Sequence, residues 1–274
     1  MTELRYLDLS GNPLKTLPEE ICNLKNLQNF YLPNNCLERL PREIGNLKSL
    51  QHLNLNNNRI KELPIDIGKL NNLQILNLGN NCLKTLPKSI RNLNSIQELT
   101  LDYNQFESIP KEITRLETLK ELYMSGNNLK EIPKEIRNLH NLQTLFLHNN
   151  NLRMIPKEIG EVSSLQKLYL SDNKIREVPK SVGRLNHLEI LYLSNNQLNT
   201  FPREIVNLIK LKKFDISNNK LRTVPEEIRN LTDLEIIDLR WNPILRFPEE
   251  IRKLSNLKKA HFGNNIGLNR SQRV

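Results

Sequence analysis

Apolar residues recur along the chain with a period of 23, from Leu4, Leu27, Leu50 and Leu73 to Leu234 and Leu257, and no insertion breaks the register. The stretch Leu119–Asn141, LKELYMSGNNLKEIPKEIRNLHN, shows the unit most cleanly. Counting Leu119 as position 1, positions 1, 4, 6, 11, 14, 18 and 21 are apolar in nearly every copy and face a core. The L-x-L segment at positions 4 to 6 alternates with period two and predicts a short strand, while Ile132, Ile136 and Leu139 are spaced as one face of a short helix. A lone copy cannot bury its apolar face, so copies stack. Parallel strands lie ~4.8 Å apart and helices ~8–10 Å apart, so the stack must curve with its sheet on the inside. The pattern predicts an α/β chain folded as a right-handed solenoid, a horseshoe with a concave parallel β-sheet and convex short helices.

Two polar or special positions are invariant within the chain. Position 9 is asparagine in every copy, from Asn12, Asn35 and Asn58 through Asn127 to Asn242 and Asn265. An amide among apolar neighbours needs partners, since leaving it unsatisfied costs ~1–3 kcal/mol. With two donors and a doubly accepting oxygen it can bond the turning backbone and link adjacent copies. Position 15 is proline in every complete copy, from Pro18 to Pro248, and suits the first turn of the expected helix.

The eleven complete copies fit LxxLxLxxNxL, and in this the chain resembles the leucine-rich repeat proteins along essentially its whole length. The ending LPxxIxxLxx is similar to two groups within that family, the spirochaetal bacterial repeat proteins and the intracellular Ras-binding and Scribble-like scaffolds. Richness in asparagine, lysine and isoleucine and the repeated PKEI favour the spirochaetal group. That resemblance implies export or surface display and host-facing protein interactions; the other implies a cytoplasmic signalling scaffold.

The 274 residues are expected to form a single elongated domain over 1–274, with eleven complete repeats starting at Leu4 and a partial twelfth plus a C-terminal cap at 257–274. The chain begins inside a repeat, so an upstream segment is expected, either a cleaved signal peptide or further chain. No run of 18 apolar residues occurs, which excludes a spanning helix in this sequence. Cys36 and Cys82 lie two copies apart, roughly 10 Å by strand spacing, beyond the ~7 Å a disulfide tolerates, so no disulfide is expected. The triplets Asn230–Thr232 and Asn269–Ser271 match a glycosylation acceptor and are read as chance.

A net charge of +10 raises nucleic acid as a partner, so its placement matters. Across the concave face as a whole, acids and bases cancel. The surplus sits at positions 19 and 20, at Lys69, Arg91, Arg115, Arg137, Arg184, Arg229, Arg252 and Lys253, where the helix dipole favours cations. Nucleic acid is therefore disfavoured. A phosphate-tracking ridge remains the alternative reading of those residues, with binding that weakens steeply in salt.

Position 5 points away from the core on the concave side, because positions 4 and 6 point into it. Read along the chain it includes Tyr31, Tyr123, Phe146, Tyr169, Tyr192, Asp215, Asp238 and His261. Four consecutive aromatics, Tyr123, Phe146, Tyr169 and Tyr192, predict a stripe ~14 Å across, of the kind that dominates protein–protein binding. Tyr31 and His148 extend the candidate surface, Asp215 and Asp238 supply charge, and Trp241 at position 8 is a candidate anchor. Asn54, Asn56, Asn57, Asn77 and Asn80 offer small polar groups on the N-terminal copies. The column Asp215, Asp238 and His261, and the trio Ser125, His148 and Ser171, look superficially like metal or nucleophile sites. Lys213 and Arg240 beside the first make it a mixed solvated ladder, and nothing in the sequence identifies a buried carboxylate orienter or an oxyanion hole for the second. We expect a non-enzymatic protein-binding module with no cofactor, no metal, no small-molecule substrate and no membrane span. A further reading is self-association through the apolar N-terminal edge at Leu4, Leu7 and Leu9.

Overall fold

The computed structural model describes residues 3–265. They form two compact units that divide between Leu129 and Lys130. The first holds β1 (Tyr6–Asp8), β2 (Asn29–Tyr31), β3 (His52–Asn54), β4 (Ile75–Asn77), β5 (Glu98–Thr100) and β6 (Glu121–Tyr123), parallel and in chain order. The second holds β7 (Thr144–Phe146), β8 (Lys167–Tyr169), β9 (Ile190–Tyr192), β10 (Lys213–Asp215), β11 (Ile236–Asp238) and β12 (Lys259–His261), arranged likewise. Register is one full repeat per step: His52 pairs with Ile75, Glu98 with Glu121, Thr144 with Lys167 and Lys213 with Ile236. The closing segment expected at 257–274 is described only as far as Asn265. Ile266 onward, including the Asn269 triplet, lies outside the described residues.

In each unit the core lies between the strands and the return segments. Leu122, Met124 and Ile136 of one repeat, and Leu168, Leu170 and Val182 of another, are buried. Leu4, Leu7 and Leu9 stay half-buried, whereas their counterparts Leu27, Phe30 and Leu32 are fully buried.

The return segment is the expected short helix, of the 3-10 type. Except at Ile113–Arg115, which has three, it spans five residues, as in Lys134–Asn138 and Lys157–Glu161. Pro133 lies just before it with ψ 148, extended, and not inside its first turn. Five residues cannot sustain i→i+4 bonding at both ends, so the turn closes by i→i+3 bonds. Ile136 N–H donates to the Pro133 carbonyl (3.0 Å) and Leu139 N–H to the Ile136 carbonyl (3.1 Å). Proline suits that place because it needs no N–H and prefers extended ψ there.

The asparagine ladder is present. Asn58 Nδ2 donates to the carbonyl of Leu32 in the preceding repeat (2.9 Å) and to that of Leu55 in its own (3.0 Å). Its Oδ1 accepts Leu37 N–H (2.9 Å). Asn196 repeats the pattern in the second unit with Leu170, Leu193 and Ile175.

A second invariant appears only in the backbone. Position 8 of every repeat is left-handed, from Gly11 and Asn34 to Trp241 and Asn264. This is where the chain leaves the strand, and short polar residues or glycine adopt that conformation at little cost. Asn57 and Asn80 are therefore turn residues. Their side chains bond laterally to Asn34 (2.7 Å) and Asn56 (3.4 Å), so they are not spare polar groups on the face.

Candidate functional site

Position 5 closes each strand and faces away from the core, and apart from Thr100 and His261 its residues divide into two kinds. Where it is Asp or Asn, the side chain bonds the backbone N–H two residues on and closes its own turn. Asp8 accepts Ser10 N–H (2.9 Å), Asn54 accepts Asn56 N–H (3.0 Å) and Asn77 accepts Gly79 N–H (3.0 Å). Asp215 does the same for Ser217 (3.0 Å) and also accepts its hydroxyl (2.7 Å). Asp238 accepts Arg240 N–H (3.0 Å) and is clamped by the guanidinium through Nη2 (2.6 Å). These carboxylates are engaged within their own repeats. Among the described residues no group of three or more His, Cys, Asp or Glu is placed to hold a metal ion.

Where position 5 is aromatic, no turn-closing bond of this kind is possible, and the rings meet each other instead. In the second unit Phe146 stacks on Tyr169 with centroids 4.0 Å apart and planes 5° from parallel. Tyr169 meets Tyr192 edge to face at 5.2 Å, and His148 lies edge-on to Phe146 at 6.2 Å. Three strands thus present one contiguous aromatic surface, each ring half-buried. Burial raises the pKa of the Tyr169 and Tyr192 phenols above the ordinary value, with the Tyr192 phenol further lifted by Asp215.

The first unit carries two aromatics of the same column. Tyr31 packs against Tyr6 at 5.4 Å. The Tyr123 hydroxyl donates to Glu121 Oε2, and burial, followed by that bond, raises its pKa. Opposite Glu121 in register, Glu98 has its pKa raised by burial and by the neighbouring carboxylate.

Trp241 is a left-handed residue with φ +57 and is 58% exposed. Tyr103 shares that conformation, but its ring lies over Gly126, where an added Cβ would come within 2.4 Å of it. Trp241 makes no ring contact among the described residues. Of the Ser125, His148 and Ser171 trio, Ser125 is buried and Ser171 Oγ is bonded to Ser194 Oγ (2.8 Å). The basic residues at positions 19 and 20 end the 3-10 turns, and some are paired, as Lys69 with Asp66 (2.7 Å) and Lys253 with Glu250 (3.5 Å).

With strand, turn, ladder and proline in register, the comparison with known families is decisive: the leucine-rich repeat region model matches residues 30–125 and 134–218, and the single-repeat model matches 3–24, 118–139 and 210–231. The chain belongs to the leucine-rich repeat family. Among solved structures this repeat protein is similar to a leucine-rich repeat protein of Leptospira interrogans, at 40% identity and TM-score 0.82, over 96% of this chain and 73% of that one. It is similar to an internalin (inlF) from Listeria monocytogenes at 24% identity and TM-score 0.74, over 96% and 82% of the two chains, which shows shared fold alone. It is also similar to the plant peptide hormone receptor RGFR1 in complex with RGF2, at 31% identity and TM-score 0.62, over 95% of this chain and 51% of that chain. Curated proteins yield no match. The spirochaetal likeness read from the repeats agrees with the leptospiral neighbour.

The sequence reading passed over Ile190 and Ile236. They occupy position 3, which faces the same way as position 5 by the two-residue alternation, and both are half-buried on the open face. The alternation alone could have found them.

Proposed function

We propose that this leucine-rich repeat protein is a non-enzymatic binding module that grips a protein partner on the open face of its second unit. The observation that carries this reading is the Phe146–Tyr169–Tyr192 ring stack, set at positions where other repeats place a residue that closes its own turn. The core is complete without these rings, and aromatic anchors in partly desolvated surfaces supply much of the energy of protein association. His148 borders the stack and Trp241 stands exposed at its flank, beside Asp215 and Asp238, whose carboxylates are engaged by Ser217 and Arg240. Tyr31 and Tyr123 offer the same column on the first unit. The likeness to a peptide hormone receptor solved in complex with RGF2 supports binding of a peptide or protein.

The test compares the native chain with a Phe146→Ser/Tyr169→Ser/Tyr192→Ser variant, both shown to be folded by thermal melting, in capture from host-cell and extracellular-matrix fractions. A partner retained by the native chain alone supports the face; equal capture by both shows that the rings are sheet packing. The half-buried state of Leu4, Leu7 and Leu9 favours a second reading, pairing of two copies through β1. Sedimentation at increasing concentration checks it, and a constant monomer mass removes it.

A further inference from the structure

The open face of the second unit carries a second row beside the rings. Position 3 of β8 to β12 reads Lys167, Ile190, Lys213, Ile236, Lys259. Lys167 and Lys259 are exposed, and Lys213 and the two isoleucines are half-buried. The adjacent charges on the strand-entry edge pair among themselves, Lys212 with Glu189 (2.9 Å) and Lys258 with Glu235 (2.9 Å). Asp238 is held by Arg240 (2.6 Å). None of the three lysines of the row forms an ion pair among the described residues. The unit as a whole is also basic: residues 130–274 hold 25 Lys and Arg against 16 Asp and Glu, while residues 1–129 hold 15 against 14, although part of that surplus sits at positions 19 and 20 of the return segments.

Resting on the protein-binding reading above, we propose that this face takes an acidic, extended segment of its partner running across the strands. Carboxylates of the segment meet Lys167, Lys213 and Lys259, and its apolar side chains lie on Ile190, Tyr192 and Ile236. Alternate strands put successive lysines ~9–10 Å apart. A polyproline II backbone advances ~9.3 Å in three residues, so an acid at every third residue meets each lysine in turn. A continuous phosphate backbone fits less well. Asp172 and Asp215 stand on the same unit's face and repel it, and the isoleucines between the lysines answer no charge.

The experiment measures binding of the full chain to a labelled proline-rich peptide with glutamate at every third position and a central tyrosine. The same peptide with lysine for glutamate, and a DNA duplex, serve as controls. Native protein binds the glutamate peptide, more weakly as salt is raised. Lys167→Glu/Lys213→Glu/Lys259→Glu, verified as folded, lowers that affinity by about tenfold or more and shifts preference to the lysine peptide. The milder Lys→Gln set lowers affinity without the shift. The proposal is overturned if native protein binds neither peptide, if charge reversal leaves affinity unchanged, or if the duplex displaces the peptide through the same lysines. If a captured partner is lost with the aromatic variant and kept with the charge-reversed one, the binding face stands and the acidic-segment inference fails. If both variants keep it, both fail.

Discussion

The asparagine at position 9 is the residue on which each copy depends. Asn127 donates to the carbonyls of Leu101 (3.0 Å), Met124 (3.1 Å) and Ser125 (3.3 Å), and accepts Phe106 N–H (3.1 Å). Asn127→Ala leaves these buried groups without the amide and is expected to cost ~1–3 kcal/mol, read as a lower urea midpoint; an unchanged midpoint removes the ladder argument. Trp241 tests the opposite case. A bulky residue in left-handed backbone costs ~1–2 kcal/mol that asparagine largely avoids, so Trp241→Asn should raise the melting temperature while weakening any partner that uses the ring. No gain on melting would mean that the indole recovers the cost inside the fold. Cys22, buried against Glu43 and Glu19, has its thiol pushed up to about 11 by burial first and the carboxylates second. Between about 9 and about 11 the unfolded chain has released a proton that the native chain keeps, so the native state loses stability as pH rises through that window. Thermal melts from pH 8 to 11 should fall more steeply for the native protein than for Cys22→Ala.

At the scale of elements, the 3-10 turns stack more closely than a side chain allows at some copies. A Cβ on Gly160 would sit 2.2 Å from the Ser181 carbonyl oxygen of the next turn. Gly160→Val must push the two turns apart and is expected to cost ~1–3 kcal/mol by overpacking, again read from urea unfolding. Equal stability would show that the turns can separate freely. The strands show how much of the site was legible in advance. Alternation about the buried positions 4 and 6 named Tyr123, Phe146, Tyr169 and Tyr192 as facing away from the core, because a strand's two sides follow from its period alone. It did not reveal that Asp215 and Asp238 are occupied by Ser217 and Arg240. That depends on turn geometry two residues further on. Nor did it distinguish a 3-10 turn from an α-helix, since Ile132, Ile136 and Leu139 are compatible with either when only one turn is formed.

At the scale of the whole molecule, charge separates by unit. The first unit is nearly neutral, with Glu98 and Glu121 facing each other across β5 and β6. The second holds most of the positive surplus, the ring stack and the row of Lys167, Lys213 and Lys259. The sequence by itself determined the repeat, the parallel register, the core positions and the family, because a 23-residue period of apolar residues with invariant asparagine and proline can bury its surface in few other ways. Only the tertiary structure decided which polar residues are free. It showed position 8 to be left-handed in every copy, the Asx side chains of position 5 to be closing their own turns, and Phe146, Tyr169 and Tyr192 to be packed as one surface. The physical reason is reach. Periodicity reports which way a side chain points, whereas hydrogen bonds and ring stacking depend on distances of a few ångströms between copies, set once the backbone has turned.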